Sequence, residues 1–217
     1  MAENNIKVTA LKIGLLGDSS VGKTAICQTF LGIEFKEDQI STIGTEKMDK
    51  KVTLKNGNEI KLILWDTAGE ERFRAAALKA IRTVQGIALV FDVTKKTSLE
   101  NINKWLDEIK ENFQNPSLVL LGNKIDMPED KWQVTQDQID ALVKQKNLKY
   151  YPTSAKTNEG ITESFTYLAN ITYDKVTAKG NKEDDKKNTS PFVHDCPSGC
   201  VLQFRIPGSG GFRSRQD

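Results

Sequence analysis

The most constraining feature of the chain is the stretch Gly17-Asp-Ser-Ser-Val-Gly-Lys-Thr24, which matches the pattern G-x-x-x-x-G-K-[ST]. An apolar, β-branched stretch (Val8–Leu16) precedes it, and a stretch with helical spacing (Thr24–Leu31) follows it. This order predicts a buried strand, a loop and a helix. Glycines let such a loop wrap around phosphate oxygens without Cβ clashes, and N–H groups at the helix N-terminus face the anion. The alternative is a glycine-rich turn that carries an exposed lysine.

A second motif supplies candidate partners for a phosphate and its metal. If the loop holds a nucleotide, Lys23 is placed to reach the β- and γ-phosphates, and the Thr24 hydroxyl is placed to bind Mg²⁺. Trp65-Asp-Thr-Ala-Gly69 follows an apolar strand, so Asp66 is placed to hold Mg²⁺ directly or through water. Gly69 can offer its N–H to the γ-phosphate. The alternative for Asp66 is a helix N-cap.

Strands and helices alternate along most of the sequence, which is typical of an α/β fold with a mostly parallel sheet covered on both faces. Asn56-Gly57 predicts one antiparallel hairpin. Strands are predicted at Val8–Leu16, Val52–Leu54, Ile60–Trp65, Ile87–Phe91, Leu118–Leu121 and Tyr150–Tyr151. Helices are predicted at Thr24–Leu31, Ala75–Val84, Leu99–Phe113, Thr135–Lys146 and Ile161–Val176.

The pattern stops near residue 178. We expect one domain over residues 6–178 and a flexible tail over 179–217, because the latter is rich in Lys, Asn and Asp and then in Gly and Ser. The 31 basic and 29 acidic residues leave a net charge of +2, which argues against nucleic-acid binding as the main role. Three cysteines and the lack of an apolar leader or a long apolar run predict a soluble, intracellular protein.

A third set of motifs points to a purine base. Asn123-Lys-Ile-Asp126 follows the apolar strand at Leu118–Leu121. Guanine carries two adjacent donors, N1–H and the 2-amino group, and one carboxylate at Asp126 can accept both, whereas adenine lacks that pair. Asn123 is placed to bond the base or to tie the loops together, and the Lys124 stem to cover a ring face. In Ser154-Ala-Lys156, the Ala155 N–H is placed to bond guanine O6.

Together these motifs make the sequence resemble a small GTPase of the Ras superfamily and, within it, the Rab family, over about residues 8–175. The similarity also rests on Ser41-Thr-Ile-Gly44, on Trp65–Phe73, on Phe91–Thr94 and on Trp105–Ile109. The resemblance implies a three-layer P-loop G domain. Such a domain has a mostly parallel six-stranded sheet, one antiparallel edge hairpin and about five helices.

The resemblance also implies a set of site residues. Thr42 would bind Mg²⁺ with Thr24 and Asp66 and would sense the γ-phosphate, while Phe35 would pack on the guanine. The implied catalytic group is Lys23, Thr42, Gly69 and Glu70. The implied nucleotide contacts are Asp18, Ser19, Ser20, Val21, Gly22, Lys23, Thr24, Ala25, Phe35, Asn123, Lys124, Asp126, Ser154, Ala155 and Lys156.

The function implied is a monomeric switch that binds GTP or GDP with Mg²⁺, hydrolyses GTP slowly and recruits effectors in vesicle traffic. Effectors, an exchange factor and an activating protein would bind through switch I (33–46) and switch II (66–83). Glu70 departs from the family's usual glutamine: its charge can repel the γ-phosphate, or its carboxylate can orient or deprotonate the attacking water. The alternative is therefore a GTP-bound interaction module with negligible hydrolysis.

The C-terminal stretch also departs from the family. Cys196 and Cys200 lie internally and match no terminal prenylation motif. The expected location is the cytoplasm, compatible with peripheral association with the cytosolic face of an endomembrane.

Overall fold

The computed structural model describes residues 8–37, Thr42, residues 44–70 and residues 73–187, with side chains described through residue 178. Its strands are β1 (Ala10–Leu16), β2 (Thr45–Thr53), β3 (Glu59–Thr67), β4 (Gly86–Asp92), β5 (Ser117–Asn123) and β6 (Tyr150–Pro152). Its helices are α1 (Lys23–Leu31), α2 (Arg74–Ala80), α3 (Lys96–Glu100), α4 (Ile102–Asn112), α5 (Gln136–Lys146) and α6 (Ile161–Lys187). A 3₁₀ turn spans Glu129–Lys131.

The six strands form one sheet in the order β2-β3-β1-β4-β5-β6. Only β2 and β3 pair antiparallel; the remaining neighbours are parallel. Every residue of β4 is buried, as expected for a central strand covered on both faces. The predicted mixed α/β sheet with one antiparallel edge is therefore confirmed.

Strand β2 is much longer than the predicted Val52–Leu54. It runs over Thr45–Thr53 and pairs with β3 along its whole length. The sequence Thr-Glu-Lys-Met-Asp-Lys-Lys lacks an apolar signature because β2 lies at the edge of the described sheet, where charged side chains are common. The strand was predicted, but its start was predicted too late, because residues 45–51 of β2 are mostly charged rather than apolar.

Helix boundaries differ from the predictions in two places. Helix α2 ends at Ala80 rather than Val84, where the β-branched residues Ile81, Thr83 and Val84 disfavour another helical turn. Helix α6 continues to Lys187 rather than Val176, and so beyond residue 178, because a lysine-rich stretch is compatible with a helix as well as with a tail. Helices α3 and α4 meet at Asn101, whose backbone is also right-handed helical, so they form one interrupted helix. The described chain thus contains the predicted five helices.

Two apolar clusters cover the two faces of the sheet. One joins α1 and α6 to the sheet through residues such as Ile26, Phe30 and Phe165. The other joins the sheet to α2, α4 and α5 through residues such as Leu78, Trp105 and Ile139. This arrangement holds the carboxyl ends of the parallel strands at one edge, which is where ligands bind in open α/β sheets. Among the described residues, no helix is both long enough and apolar enough to cross a bilayer.

The ring pair Phe30–Phe165 locks α1 to α6, with centroids 4.5 Å apart and both side chains buried. We expect Phe165→Ala to lower the free energy of unfolding by about 3–5 kcal/mol, because it leaves a cavity between two helices. Urea unfolding measures this. Ile33→Ala serves as the control, because Ile33 is 49% exposed and its truncation leaves no cavity. Equal losses in the two variants would contradict the packing assigned to Phe165.

Candidate functional site

A cleft of about 420 Å³ opens at the carboxyl edge of the sheet. Its size falls within the usual range for sites that hold small molecules. Most of the residues singled out from the sequence line it: Ser19, Ser20, Gly22, Lys23, Thr24, Ala25, Phe35, Thr42, Gly69, Glu70, Asn123, Lys124, Asp126, Ala155 and Lys156. Asp18, Val21, Asp66 and Ser154 do not line it, but each forms a hydrogen bond with a residue that does. The structure therefore brings the separate motifs to one place.

The loop between β1 and α1 forms one end of the cleft. Gly22 has φ of 100°, and a Cβ there would overlap the Asn123 amide, so the loop requires glycine at this point. Gly69 approaches the same loop from the end of β3. A Cβ on Gly69 would overlap the Asp18 carbonyl and Lys23 Nζ. The backbone of the loop between β1 and α1 and the backbone at Gly69 therefore lie in close contact beside Lys23.

That lysine is almost completely enclosed. Lys23 is 5% exposed, and its Nζ donates to the carbonyls of Gly17 and Asp18 at 2.8 Å each. Burial lowers the pKa of Lys23 to about 8, although the charges of Asp66 and Asp18 favour the ammonium. The carbonyl dipoles that accept hydrogen bonds from Lys23 neutralise its positive charge only in part. This end of the cleft therefore favours an anionic ligand.

Three oxygen-bearing side chains cluster beside Lys23. Thr24 Oγ1 lies 2.7 Å from Thr42 Oγ1 and donates to Asp66 Oδ2 at 2.6 Å, while Thr42 Oγ1 donates to the same oxygen at 3.2 Å. Asp66 is fully buried, and burial raises its carboxyl pKa. Its Oδ1 is also buried and has no hydrogen-bond partner among the described groups. Two hydroxyls and one carboxylate are hard oxygen donors, so the set fits Mg²⁺ completed by water and phosphate oxygens.

Asn123 connects the loop between β1 and α1 to the turn at Ser154-Ala-Lys156. Its buried Nδ2 donates to the Val21 carbonyl at 2.8 Å, and its Oδ1 accepts the Ala155 N–H at 3.2 Å. Of the two roles left open by the sequence, tying the loops together is the one visible in these contacts. Lys124, with φ of 71°, extends along the cleft and donates to the Ser20 carbonyl at 2.9 Å.

Asp126 presents an exposed carboxylate to the cleft. Its Oδ1 accepts a hydrogen bond of 2.6 Å from Ser154 Oγ, and Ser154 is fully buried. The same Ser154 oxygen accepts backbone N–H groups from Lys156 and Thr157, at 3.2 and 3.1 Å. Ser154 and the turn that follows it therefore orient the Asp126 carboxylate. Ser154 itself does not line the cleft.

Two acidic residues that the sequence motifs did not indicate pair with lysines of the cleft. Glu37 accepts a hydrogen bond from Lys156 Nζ at 3.0 Å across the mouth, and this contact raises the Lys156 pKa. Asp92 is fully buried and pairs with Lys124 Nζ at 2.6 Å. The sequence could have indicated Asp92 as a site residue, because it ends an apolar strand as Asp66 does. In the structure Asp92 lies in register with Asn123 of the neighbouring strand.

Phe35 lines the cleft and packs against the α1–α6 cluster, so it contributes to both core and site. The Asp18 side chain is directed away from the cleft and toward α4, while its carbonyl accepts from Lys23. Several expectations lie outside the described residues: those on positions 38–41 and 43 within switch I, on positions 71–72 within switch II, and on the cysteines Cys196 and Cys200.

Removal of the Asn123 amide tests whether this residue holds the loops together. Asn123→Ala leaves a buried carbonyl and a buried N–H without their partner, so we expect a loss of about 1–3 kcal/mol in the free energy of unfolding. Asn103→Ala, on the exposed face of α4, is the matched control. Urea unfolding of both variants makes the comparison, and a loss for Asn123→Ala no larger than the control would argue against this role.

Comparison with known proteins places the chain in a family. Residues 12–174 match the family model described as Ras family. Ras-related protein Rab-13 of Mesocricetus auratus is 38% identical over 191 residues, covering 82% of this chain and 93% of that protein. Ras-related protein Rab-10 of Diplobatis ommata is 40% identical, covering 82% and 86%, and Ras-related protein SEC4 of Saccharomyces cerevisiae is 39% identical, covering 76% of each. The chain therefore belongs to the Ras family and, within it, to the Rab-type small GTPases.

Proposed function

We propose that this protein is a GTP-binding molecular switch that hydrolyses GTP to GDP and recruits effectors in vesicle and membrane traffic. The observation that carries the proposal is the pairing, in one cleft, of a buried ammonium at one end with an oriented carboxylate at the other. A nucleoside phosphate with two hydrogen-bond donors on its base complements both ends at once. Membership of the Rab-type GTPases supports the role in traffic.

Recognition of the phosphates falls to the loop between β1 and α1. Lys23 Nζ donates to two carbonyls of its own loop, and a phosphate oxygen offers a stronger, charged acceptor at the same end of the cleft. The backbone N–H groups at the start of α1 point toward this end, and the helix dipole favours negative charge there. Binding of the anion also offsets the cost of burying the Lys23 charge.

The metal that accompanies the phosphates would be held by Thr24 and Thr42, with Asp66 directly or through water. Bound Mg²⁺ neutralises the charge that develops on the phosphates during transfer. The chain contributes Asp66, whose buried carboxylate orients both hydroxyls through its hydrogen bonds. Thr42 lies in switch I, so its contact with this cluster links that segment to the nucleotide.

Selection of guanine would depend on Asp126. The carboxylate can accept the N1–H and the 2-amino group of guanine together, whereas adenine offers an acceptor at N1 and no amino group at position 2. Ser154 and its turn fix the carboxylate in advance, which reduces the entropy lost on binding. We infer that the Ala155 N–H, which donates to Asn123 Oδ1 in this structure, would turn to guanine O6 when the base binds, and that the Lys124 stem and Phe35 would cover the base.

Switching would follow from contacts made only with the γ-phosphate. Gly69 lies against the phosphate loop, so we infer that its N–H would donate to that group, and Thr42, which would help to hold Mg²⁺, would lose its position when the group leaves. Loss of the γ-phosphate removes both contacts and releases switch I (33–46) and switch II (66–83). Effectors, an exchange factor and an activating protein would read these segments, acting on a monomer that associates peripherally with an endomembrane.

Hydrolysis is proposed to be slow without an activating protein. Glu70 lines the cleft beside Gly69, where the family usually has glutamine. A carboxylate accepts hydrogen bonds from water but donates none to the transition state. We expect a single-turnover rate on the order of 10⁻⁴ s⁻¹ for the protein alone, as is typical of such domains without a catalytic arginine in place.

Base selection can be tested at Asp126. We expect Asp126→Ala to weaken GDP binding by at least about a hundredfold, because two donors of the base lose a charged acceptor. Asp126→Asn replaces one acceptor with a donor, so it should favour xanthosine diphosphate over GDP, since xanthine has a carbonyl at position 2. Calorimetric titration with GDP, ADP and xanthosine diphosphate measures both effects. Asp130→Asn, exposed in the neighbouring 3₁₀ turn, is the control. An unchanged preference for GDP in both Asp126 variants would contradict the assignment.

Hydrolysis can be separated from binding at Gly69. A Cβ there would push the end of β3 away from Asp18 and Lys23, so we expect Gly69→Ala to slow single-turnover hydrolysis by roughly ten- to a hundredfold. GDP affinity should change little, because GDP lacks the γ-phosphate to which Gly69 would donate. Unchanged hydrolysis, or an equal loss of GDP affinity, would argue against this role.

A further inference from the structure

A partly buried polar cluster joins the phosphate loop to two helices outside the nucleotide cleft. Both carboxylate oxygens of Asp18 point into it: Oδ1 accepts Trp105 Nε1–H at 3.0 Å, and Oδ2 accepts the Asn101 amide at 2.8 Å. Arg74, the first residue of α2, lies over the Trp105 ring with its Cζ 4.2 Å from the centroid. We call Asp18, Arg74, Asn101, Trp105 and Glu108 the Asp18 bridge.

Arg74 is held from three sides in this bridge. Its Nη1 donates to Glu108 Oε1 at 3.2 Å, its Nη2 lies 4.0 Å from Asp18 Oδ1, and its planar group stacks on the indole. The Arg74 side chain is only 15% exposed, so these charge contacts are screened less than surface pairs are. An arginine with a stacking ring and two carboxylates has a defined position, which a lysine cannot reproduce.

The fixed member of the bridge is α4. Trp105 is fully buried among the side chains that attach α4 to the sheet, together with Ile102 and Ile109. Asp18 attaches the phosphate loop to that helix, and Arg74 attaches α2 to it. Because the Asp18 carbonyl also accepts from Lys23 Nζ, the bridge is one hydrogen bond away from the residue proposed to hold the phosphates.

We propose that Arg74 is a positioning residue for GTP hydrolysis: it ties the start of α2 to the phosphate loop through the Asp18 bridge and thereby keeps Gly69 and Glu70 beside that loop. Gly69 lies against the Asp18 carbonyl, so the approach of β3 to the loop and the attachment of α2 converge on the same residue. Arg74 does not line the nucleotide cleft, and it acts through Asp18 rather than on the nucleotide. The hydrolysis arm of this inference rests on the proposed function.

The test compares three substitutions with one control. Arg74→Met keeps an unbranched apolar stem and removes the charge, Arg74→Lys restores a charge without the planar group, and Glu108→Gln removes the facing carboxylate. Glu111→Gln, exposed on the same helix, is the matched control. Each protein is studied with GDP and Mg²⁺ by hydrogen–deuterium exchange of α2, and with GTP by single turnover.

We expect the rate of exchange in α2 to rise about three- to tenfold in Arg74→Met and in Glu108→Gln, because each variant loses a partly desolvated contact of the Arg74 cation. In Glu111→Gln the exchange rate should stay unchanged. Single-turnover hydrolysis should fall in parallel, with Arg74→Lys intermediate, while GDP affinity and exchange in β4 remain as in the unsubstituted protein. A purely structural role would change β4 exchange and GDP affinity as well.

Three results would overturn the inference: unchanged α2 exchange in Glu108→Gln, raised α2 exchange with unaltered hydrolysis, or the same effects in Glu111→Gln. If the unsubstituted protein binds GDP but does not hydrolyse GTP, the proposed hydrolysis fails and the positioning role in hydrolysis fails with it. The exchange comparison then still decides whether Arg74 attaches α2 to the phosphate loop.

Discussion

The buried ammonium of Lys23 is the constraint around which the rest of the structure is arranged. A lysine with 5% exposure and two carbonyl acceptors costs free energy unless a stronger acceptor arrives, and burial accordingly lowers its pKa to about 8. The loop that encloses it requires glycine at position 22, the end of β3 requires glycine at position 69, and Asn123 ties that loop to the next. Each of these features is costly or restrictive on its own terms. Together they fit the phosphate group that we propose for this end of the cleft.

The parts of the fold that could be predicted from the sequence are those in which a single local pattern has one physical cause. Central strands such as β4 are apolar because both faces are covered, and the Asn56-Gly57 turn predicts the hairpin. Most of the edge strand β2 could not be predicted in this way. Its outer hydrogen-bonding edge and one face meet solvent, so charged residues replace apolar ones. The C-terminal end of α6 could not be predicted because a Lys-rich sequence is equally suited to a helix and to a tail. In both cases the deciding factor is tertiary context.

The candidate site likewise contains features that could be predicted from the sequence and features that could not. Motifs at strand ends predicted most of the cleft lining, since parallel strands bring their carboxyl ends together. The motifs did not predict which way a side chain points. The Asp18 carboxylate is bound by Asn101 and Trp105, and Ser154 donates to Asp126 without lining the cleft, while a nucleotide contact by either residue stays a prediction. Asp92 and Glu37 were missed because their partners, Lys124 and Lys156, come from distant parts of the chain. Long-range pairing of this kind leaves no local signal in one sequence.

We propose that one cleft holds both the phosphates and the base of a guanine nucleotide. The most direct measurement is a crystal structure of the protein with Mg²⁺ and a non-hydrolysable GTP analogue. The account predicts Lys23 Nζ on the β- and γ-phosphate oxygens, the metal at Thr24 and Thr42, and both Asp126 carboxylate oxygens on the guanine edge. A nucleotide bound elsewhere, or one bound in the cleft with Lys23 still donating only to Gly17 and Asp18, would contradict it.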